Sequence, residues 1–357
     1  PPPPPPPPPP PFLMIRRPPR STPLTCRRQR QMCIRDRSKR FVKKLDVAEK
    51  FARRLGAKVE EHTVYAVDSV DLAITNGEVV GLVGESGCGK STLGRCVAGV
   101  HEPSEGTISY RGKDVTTLKG KELLESRLKV QMIFQDPMSS LNPRLKVSQI
   151  ISEAPLFHGL IDRGQVEDYV ASTMQRVGLD PSYHQRYPHQ FSGGQRQRIG
   201  IARALAVLPD FIVCDEAVAA LDVSIQAQVL NLFMDLREDL GLTYLVISHD
   251  LGVVEHLSDR VVIMYLGRVV ETAPTDELFR EPNHPYTQAL LAEAPRLETD
   301  RRIYAPIKGE IPSPLNPPKG CHFHPRCPHA MERCRVEVPT LKEIAPGRVS
   351  ACHLNDG

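Results

Sequence analysis

A nine-residue run, Gly84 to Thr92, limits the folds open to this chain more than any other feature of its sequence. It reads Gly-Glu-Ser-Gly-Cys-Gly-Lys-Ser-Thr, follows a short apolar segment and precedes the helical pattern Leu93 to Val100. Glycines let successive backbone N–H groups curl around phosphate oxygens, and the N-terminus of the next helix adds partial positive charge. The run therefore predicts a strand, a phosphate-binding loop and a helix in succession.

Individual residues of this run, hereafter the phosphate loop, have predicted parts in binding. We expect Lys90 to reach the β- and γ-phosphates of a nucleotide and the Ser91 hydroxyl to bind Mg²⁺. The alternative is a glycine-rich turn without a ligand, which the flanking strand and helix patterns disfavour. The predicted nucleotide-binding residues of the loop are Gly84, Glu85, Ser86, Gly87, Cys88, Gly89, Lys90, Ser91 and Thr92.

The pattern from Ser38 to about Pro282 alternates short β-branched runs with amphipathic segments, which predicts an α/β layered domain. A mainly helical stretch, about 136–206, interrupts the strands and predicts a helical subdomain. From residue 283 to 357 the sequence is Pro-rich and predicts a small irregular appendage. The strand candidates are Glu78 to Val83, Val130 to Phe134, Phe211 to Cys214, Thr243 to Ile247 and Val261 to Tyr265, and Ser224 to Leu240 is a helix candidate.

Two adjacent carboxylates, Asp215 and Glu216, end the apolar run that begins at Phe211. Beside a phosphate loop, Asp215 suits a direct or water-mediated Mg²⁺ contact. Glu216 can accept a proton from an attacking water or orient it, as phosphoryl transfer requires. Without the loop, the pair would more often be an ordinary strand end.

A further motif, Phe191 to Arg198 followed by Ile201 to Leu205, resembles the signature motif of ABC ATPases. That resemblance implies the ABC form of the phosphate-loop NTPase fold, with an antiparallel β subdomain and a helical subdomain. It also implies a head-to-tail dimer in which this motif closes on ATP held by the other subunit. The residues expected at that ATP are Ser192, Gly193, Gly194 and Gln195.

Other elements of the family pattern follow in order. By resemblance, Gln135 contacts Mg²⁺ or the attacking water, Asp222 crosses the dimer interface and His249 contacts the γ-phosphate. Phe41 is the candidate for stacking on adenine, with a core phenylalanine as the alternative. The chain departs from the pattern after the acidic pair, where alanines stand at 217 and 219 in place of the usual proline and serine. Neither change removes a catalytic carboxylate.

The end of the chain resembles the C-terminal extension of dipeptide and oligopeptide permease ATPases, which nickel and some sugar importers share. The matching motifs are His284 to Thr287, Gly309 to Pro314 and Cys321 to Pro328. The resemblance implies ATP-driven uptake of peptides at the cytoplasmic face of a bacterial cell membrane. The implied partners are a second ABC ATPase subunit, identical or homologous, two transmembrane permease subunits and, indirectly, a periplasmic binding protein. A soluble, non-transport ABC ATPase is the alternative from another class.

Four of the nine cysteines cluster near the end of the chain, namely Cys321, Cys327, Cys334 and Cys352. A nucleotide-binding enzyme of the reducing cytosol is not expected to use them as disulfides. Four thiolates suffice for an iron–sulfur cluster or for zinc. The family resemblance favours a four-iron, four-sulfur cluster, with zinc and unmetallated thiols as alternatives.

The first 37 residues do not resemble the rest of the chain. Eleven prolines open the segment, and its eight arginines and one aspartate carry +7 of formal charge against +4 for the whole chain. The string resembles translated sequencing-adapter sequence, so we expect residues 1–37 to be non-native and disordered; a polyproline tail and a basic membrane-surface arm are the alternatives. The remainder has a formal charge of −3, and no nucleic-acid partner is predicted.

Overall fold

The computed structural model describes residues 30–42, 63–293 and 309–356 of the chain. The strands are β1 (Arg30–Val42), β2 (Thr63–Thr75), β3 (Val79–Val83), β4 (Glu105–Tyr110), β5 (Lys113–Asp114), β6 (Val130–Ile133), β7 (Phe211–Asp215), β8 (Thr243–Ile247), β9 (Arg260–Tyr265), β10 (Arg268–Pro274), β11 (Lys342–Ala345) and β12 (Arg348–Ser350). The helices are α1 (Lys90–Val97), α2 (Gly120–Lys129), α3 (Pro137–Ser140), α4 (Val147–Phe157), α5 (Val166–Arg176), α6 (Gly193–Leu205), α7 (Val223–Leu240), α8 (Leu251–Leu257), α9 (Thr275–Arg280), α10 (Pro285–Glu293) and α11 (Glu332–Val336).

The described chain divides into two compact units. The helical unit comprises Gln135–Val207 and Ala217–Gly241, and therefore holds α3 to α7. The core unit comprises the other described residues and holds all twelve of the strands above. The sequence-based range of about 136–206 did not include the second stretch of the helical unit.

The larger sheet of the core unit has the strand order β11-β12-β10-β9-β3-β8-β7-β6. Its central strands, from β9 to β6 in that order, run parallel, and β10, β12 and β11 extend one side in antiparallel fashion. Every residue of β3, β7 and β8 is buried, as expected for strands of a parallel sheet covered on both faces. The carboxyl ends of β3, β7 and β8 therefore share one edge, where an α/β sheet binds its ligand.

The smaller sheet of the core unit has the order β2-β1-β4-β5, and its neighbouring strands are antiparallel. Strand β1 pairs Met32 with Ile74 of β2 and with Tyr110 of β4. Met32 and Ile34, two residues apart, point into the core and are each 1% exposed. These contacts build the predicted antiparallel β subdomain.

This placement corrects one expectation from the sequence. The expectation that residues 1–37 are disordered is wrong for Arg30 to Arg37, because this stretch forms the first part of β1. Met32 and Ile34 are buried as alternate residues of this strand, and the strand pairs with β2 and β4 on its two sides. The rest of that prediction, residues 1–29, lies outside the described residues.

The helical unit owes its core to apolar side chains at helical spacing. Helix α7 buries Val229, Leu232, Phe233 and Leu236 on one side. Gly194 allows α6 to approach this helix closely, since a Cβ there would lie 2.3 Å from Cγ2 of Ile225. Helix α7 ends at Gly241, which is left-handed with φ 64°, a common way of ending a helix.

The C-terminal region is more regular than its proline content suggests, because β11 and β12 form a hairpin that continues the larger sheet.

Among the described helices, none is both long and apolar enough to cross a membrane.

Candidate functional site

The phosphate loop connects β3 to α1 at the carboxyl end of the parallel sheet. Two of its glycines are required by close contacts. A Cβ on Gly84 would lie 2.1 Å from the carbonyl oxygen of Met264, and one on Gly89 would lie 1.9 Å from that of Ala66. Gly89 also has φ 103° and caps the N-terminus of α1, a conformation that L-residues rarely adopt.

Lys90 lies beneath this loop and is 5% exposed. Its Nζ donates hydrogen bonds to the carbonyl oxygens of Gly84, at 2.7 Å, and Glu85, at 3.0 Å. Burial of a cation among neutral acceptors is costly, and an anionic ligand in the loop offsets that cost. The lysine is therefore suited to the phosphate-binding role predicted for it, which stays a prediction.

Asp215 ends β7 beside the start of α1. Its Oδ1 accepts a 2.7 Å hydrogen bond from the Ser91 hydroxyl, and Arg95 lies 3.9 Å from its Oδ2. Burial raises the pKa of this carboxyl, and the hydrogen bond from Ser91 opposes that shift. Mg²⁺ prefers few protein oxygens together with substrate phosphates, so the pair fits the metal predicted here.

Glu216 follows at the end of the same strand with a left-handed backbone, φ 48°. Its N–H donates to the carbonyl oxygen of Ile247, at 2.9 Å, and its Oε1 lies 3.2 Å from Nδ1 of His249. A non-glycine residue in this conformation is strained, and such strain persists only where surrounding contacts hold the backbone in place. The strand ends of β7 and β8 thus bring the predicted base and the predicted histidine together.

The helical unit holds Gln135, Asp222 and the predicted residues of the signature motif. Ser192 caps α6, because its hydroxyl accepts from the Gln195 N–H and the Gln195 side chain accepts from the Ser192 N–H. Gln135 and Gly193 line a cleft of about 180 Å³ within this unit, together with Arg196, Gln197, Ala220 and Leu221. Asp222 is exposed at the N-terminus of α7.

Phe41 lies near the end of β1 and is 40% exposed. Its ring makes an edge contact with His101, with 5.8 Å between centroids, and the Lys39 Nζ lies 5.2 Å from its centre. His101 follows α1, whereas the phosphate loop precedes it. The recorded contacts of Phe41 are therefore at the other end of α1, and its adenine-binding role stays a prediction.

The four C-terminal cysteines gather in one region. Charge on Cys327, Cys334 and Cys352 contributes to the raised pKa of Cys321, about 11, which is due chiefly to burial. Within residues 30–42, 63–293 and 309–356, however, no three His, Cys, Asp or Glu side chains form a group able to hold a metal ion. The predicted iron–sulfur cluster is therefore not supported by this arrangement.

The structure also adds residues that the sequence analysis missed. Arg326 makes a two-pronged ion pair with Glu85, and the Tyr286 hydroxyl accepts a hydrogen bond from the Glu85 N–H. The only signal for Arg326 was its place within the Cys321 to Pro328 motif. Nothing in that motif indicated a contact with the phosphate loop.

Two family descriptions match this chain. "ABC transporter" matches residues 67–219, which include the phosphate loop and the acidic strand end, and "Oligopeptide/dipeptide transporter, C-terminal region" matches residues 270–334. Among solved structures, the dimeric post-hydrolysis state of the ATP-binding cassette MJ0796 with ADP and Pi is similar, with a TM-score of 0.58 and 27% identity over 68% of this chain and 98% of that one. The protein is thus an ATPase of the ABC class, and the predicted fold class is confirmed.

Two curated relatives show to which family within the ABC class this chain belongs. The probable peptide ABC transporter ATP-binding protein y4tS of Sinorhizobium fredii is 51% identical over 83% of this chain and 84% of its own. The oligopeptide transport ATP-binding protein AppF of Bacillus subtilis is 50% identical over 85% of this chain and 92% of its own. This chain belongs to the family of peptide ABC transporter ATP-binding proteins, which confirms the resemblance found in its sequence.

Proposed function

We propose that this protein binds MgATP at the phosphate loop and hydrolyses it to drive the uptake of dipeptides or oligopeptides through separate membrane subunits. The observation that carries the proposal is the hydrogen bond between Ser91 and Asp215 beside buried Lys90. Two oxygen atoms suited to Mg²⁺ and one cation suited to phosphate, close together at the loop, support MgATP binding there. The peptide substrate rests on the names of the relatives.

The assigned roles follow the chemistry of phosphoryl transfer. Lys90 and the N–H groups of the loop neutralise and orient the phosphates, while Ser91 and Asp215 would hold Mg²⁺, which would supply positive charge to the transferred phosphate. Glu216 takes the proton of the attacking water, and His249 orients that carboxylate and contacts the γ-phosphate. Catalysis then depends on positioning and charge neutralisation.

The remaining roles involve partners. Ser192, Gly193, Gly194 and Gln195 would bind the nucleotide of a second ATPase subunit, with Asp222 at the same interface and Gln135 completing the Mg²⁺ or water contact. Phe41 would stack on adenine. The assembly would lie at the cytoplasmic face of the membrane with two permease subunits. The proposal leaves out the iron–sulfur cluster, because the four cysteines do not form a metal-holding group in the described chain.

The proposal is tested with the complete transporter, in which this protein is assembled with its membrane subunits in proteoliposomes. We expect ATP hydrolysis that requires Mg²⁺ and is stimulated by peptides together with the binding protein. Lys90→Ala should weaken MgATP binding about 10- to 100-fold, since hydrogen bonds to charged groups contribute about 1.5–3 kcal/mol. Stimulation by nickel or a sugar instead of peptides would overturn the substrate, and unchanged binding by Lys90→Ala would overturn the site.

A further inference from the structure

The C-terminal extension reaches the phosphate loop through one arginine. Arg326 Nη1 lies 2.7 Å from Glu85 Oε2, and Nη2 lies 2.9 Å from Glu85 Oε1. The Arg326 side chain is 5% exposed and that of Glu85 is 17% exposed. Paired, two-pronged contacts of this kind are the strongest and most directional that arginine makes with a carboxylate.

Aromatic packing holds this arginine in place. Tyr265, Tyr286 and Phe323 pack against one another, with ring centroids 4.7 to 5.4 Å apart. The guanidinium lies 5.9 Å from the Tyr265 ring centre, and its Nη1 donates to the Tyr265 hydroxyl at 3.4 Å. These rings belong to a buried cluster on which Cys321 and Cys327 also pack. The C-terminal extension therefore packs against the core unit beside the phosphate loop.

Glu85 is held at three points. Arg326 binds the Glu85 carboxylate, and the Tyr286 hydroxyl accepts a 2.9 Å hydrogen bond from the Glu85 N–H. Lys90 donates a 3.0 Å hydrogen bond to the Glu85 carbonyl oxygen. Two of the three partners lie more than 200 residues further along the chain. The position of the first turn of the loop is thus set largely by the C-terminal region.

We propose that Arg326 is a positioning residue for the nucleotide site: it neutralises and anchors Glu85 so that the phosphate loop presents its N–H groups and Lys90 to ATP. This inference rests on the proposed function of the loop. It gives the extension a role in nucleotide binding that the phosphate-loop motif itself does not reveal.

The role has a specific electrostatic consequence. Without Arg326, the Glu85 carboxylate is left in a partly buried position beside the site for the negatively charged phosphates, where it repels them and competes for Lys90. Removing one partner of a buried charge pair leaves the other unpaired, and much of the damage is due to that remaining charge. Removing the second charge should then repair the site.

The experiment is a double-variant cycle in the full chain. The variants are Arg326→Met, Glu85→Gln, the two together, and Arg335→Met as the matched control in an exposed, weak ion pair of the same extension. Affinity for a nonhydrolysable MgATP analogue is measured by equilibrium titration, and KM and kcat for ATP are measured separately. Melting temperatures are recorded for every variant.

We expect Arg326→Met to weaken the affinity by about tenfold or more, with a smaller change in kcat, and Arg335→Met to have no effect. Adding Glu85→Gln to Arg326→Met should restore most of the affinity even if the melting temperature stays low. Wild-type affinity in Arg326→Met would overturn the positioning role, and a double variant as weak as Arg326→Met alone would overturn its electrostatic part, the neutralisation of Glu85. Failure of the wild-type protein to bind MgATP would instead refute the proposed function.

Discussion

The Oε1 atom of Glu216 lies 3.2 Å from Nδ1 of His249, where β7 and β8 end side by side. The contact depends on the left-handed backbone of Glu216, φ 48°, which turns the chain out of the sheet immediately after Asp215. Asp215 therefore stays buried next to Ser91, while its neighbour faces the histidine. The strand end therefore separates the carboxylate proposed to bind Mg²⁺ from the one proposed to accept a proton.

Replacing Glu216 by glutamine should stop hydrolysis but leave MgATP binding intact. The amide preserves the shape and a hydrogen bond to His249, but it cannot take a proton. We expect phosphate release to fall by at least about 100-fold, and the ATP-bound dimer to accumulate on size exclusion. Glu332→Gln, at an exposed site in the extension, is the control. A wild-type rate in Glu216→Gln would remove it from the mechanism.

The raised pKa of Asp215 predicts a pH dependence of Mg²⁺ binding. Burial favours the protonated acid, so protons compete with Mg²⁺ as the pH falls toward the raised pKa. We expect the Mg²⁺ concentration for half-maximal ATP hydrolysis to increase on lowering the pH from about 7 to about 5. An unchanged requirement across this range would contradict the shift. A chelator should abolish the activity at any pH.

The raised pKa of Asp215 also predicts a pH-dependent effect on the stability of the folded protein. Because its folded pKa is above its unfolded value, ionisation opposes folding, and the loss of stability grows as the pH rises from the unfolded value through the folded one. Asp215→Asn should therefore raise the melting temperature of the metal-free protein more at about pH 7 than at about pH 4. Equal effects at both values would show that the ionised form is not disfavoured by folding.

The packing of β1 predicts that its first part, Arg30 to Arg37, is needed for the stability of the fold. Ile34→Ala removes a side chain that is 1% exposed, and we expect a loss of about 2–5 kcal/mol in the free energy of unfolding. Arg35→Ala, at the neighbouring exposed position, should change it by less than about 0.5 kcal/mol. Denaturant titration of both variants measures the difference. Equal, small effects would indicate that Arg30 to Arg37 does not pack in the core.

The thiols of Cys321, Cys327 and Cys352 should react slowly at neutral pH. Burial raises the pKa of Cys321 to about 11 and also raises the pKa of Cys327 and Cys352, and the thiolate is the reactive form. Alkylation followed by mass spectrometry should show a rate at Cys321 that increases up to about pH 11. Protein purified without oxygen provides the counter-test, since iron with acid-labile sulfide, or stoichiometric zinc, would contradict free thiols and restore the sequence-based prediction of a metal centre.

The nucleotide-binding motifs and their strands could be predicted from the sequence because their signals are local. Strand β8 has the predicted bounds, Thr243 to Ile247, and β7 differs by one residue. Short apolar runs, glycines at a turn and acids at a strand end constrain neighbouring backbone directly. The same locality made Ser91, Asp215 and Glu216 candidate site residues, whereas His249 became a candidate only through the resemblance to ABC ATPases.

Tertiary structure alone decided three other matters. It placed Met32 and Ile34 in the core although the segment before them looked foreign, and it left the four cysteines without the geometry of a metal site. It also joined Arg326 to Glu85 across 241 residues of chain. Contacts between residues so far apart in sequence depend on how sheets and loops pack once the local elements have formed. A local sequence pattern does not specify which distant charged residue a given charged residue will be buried against.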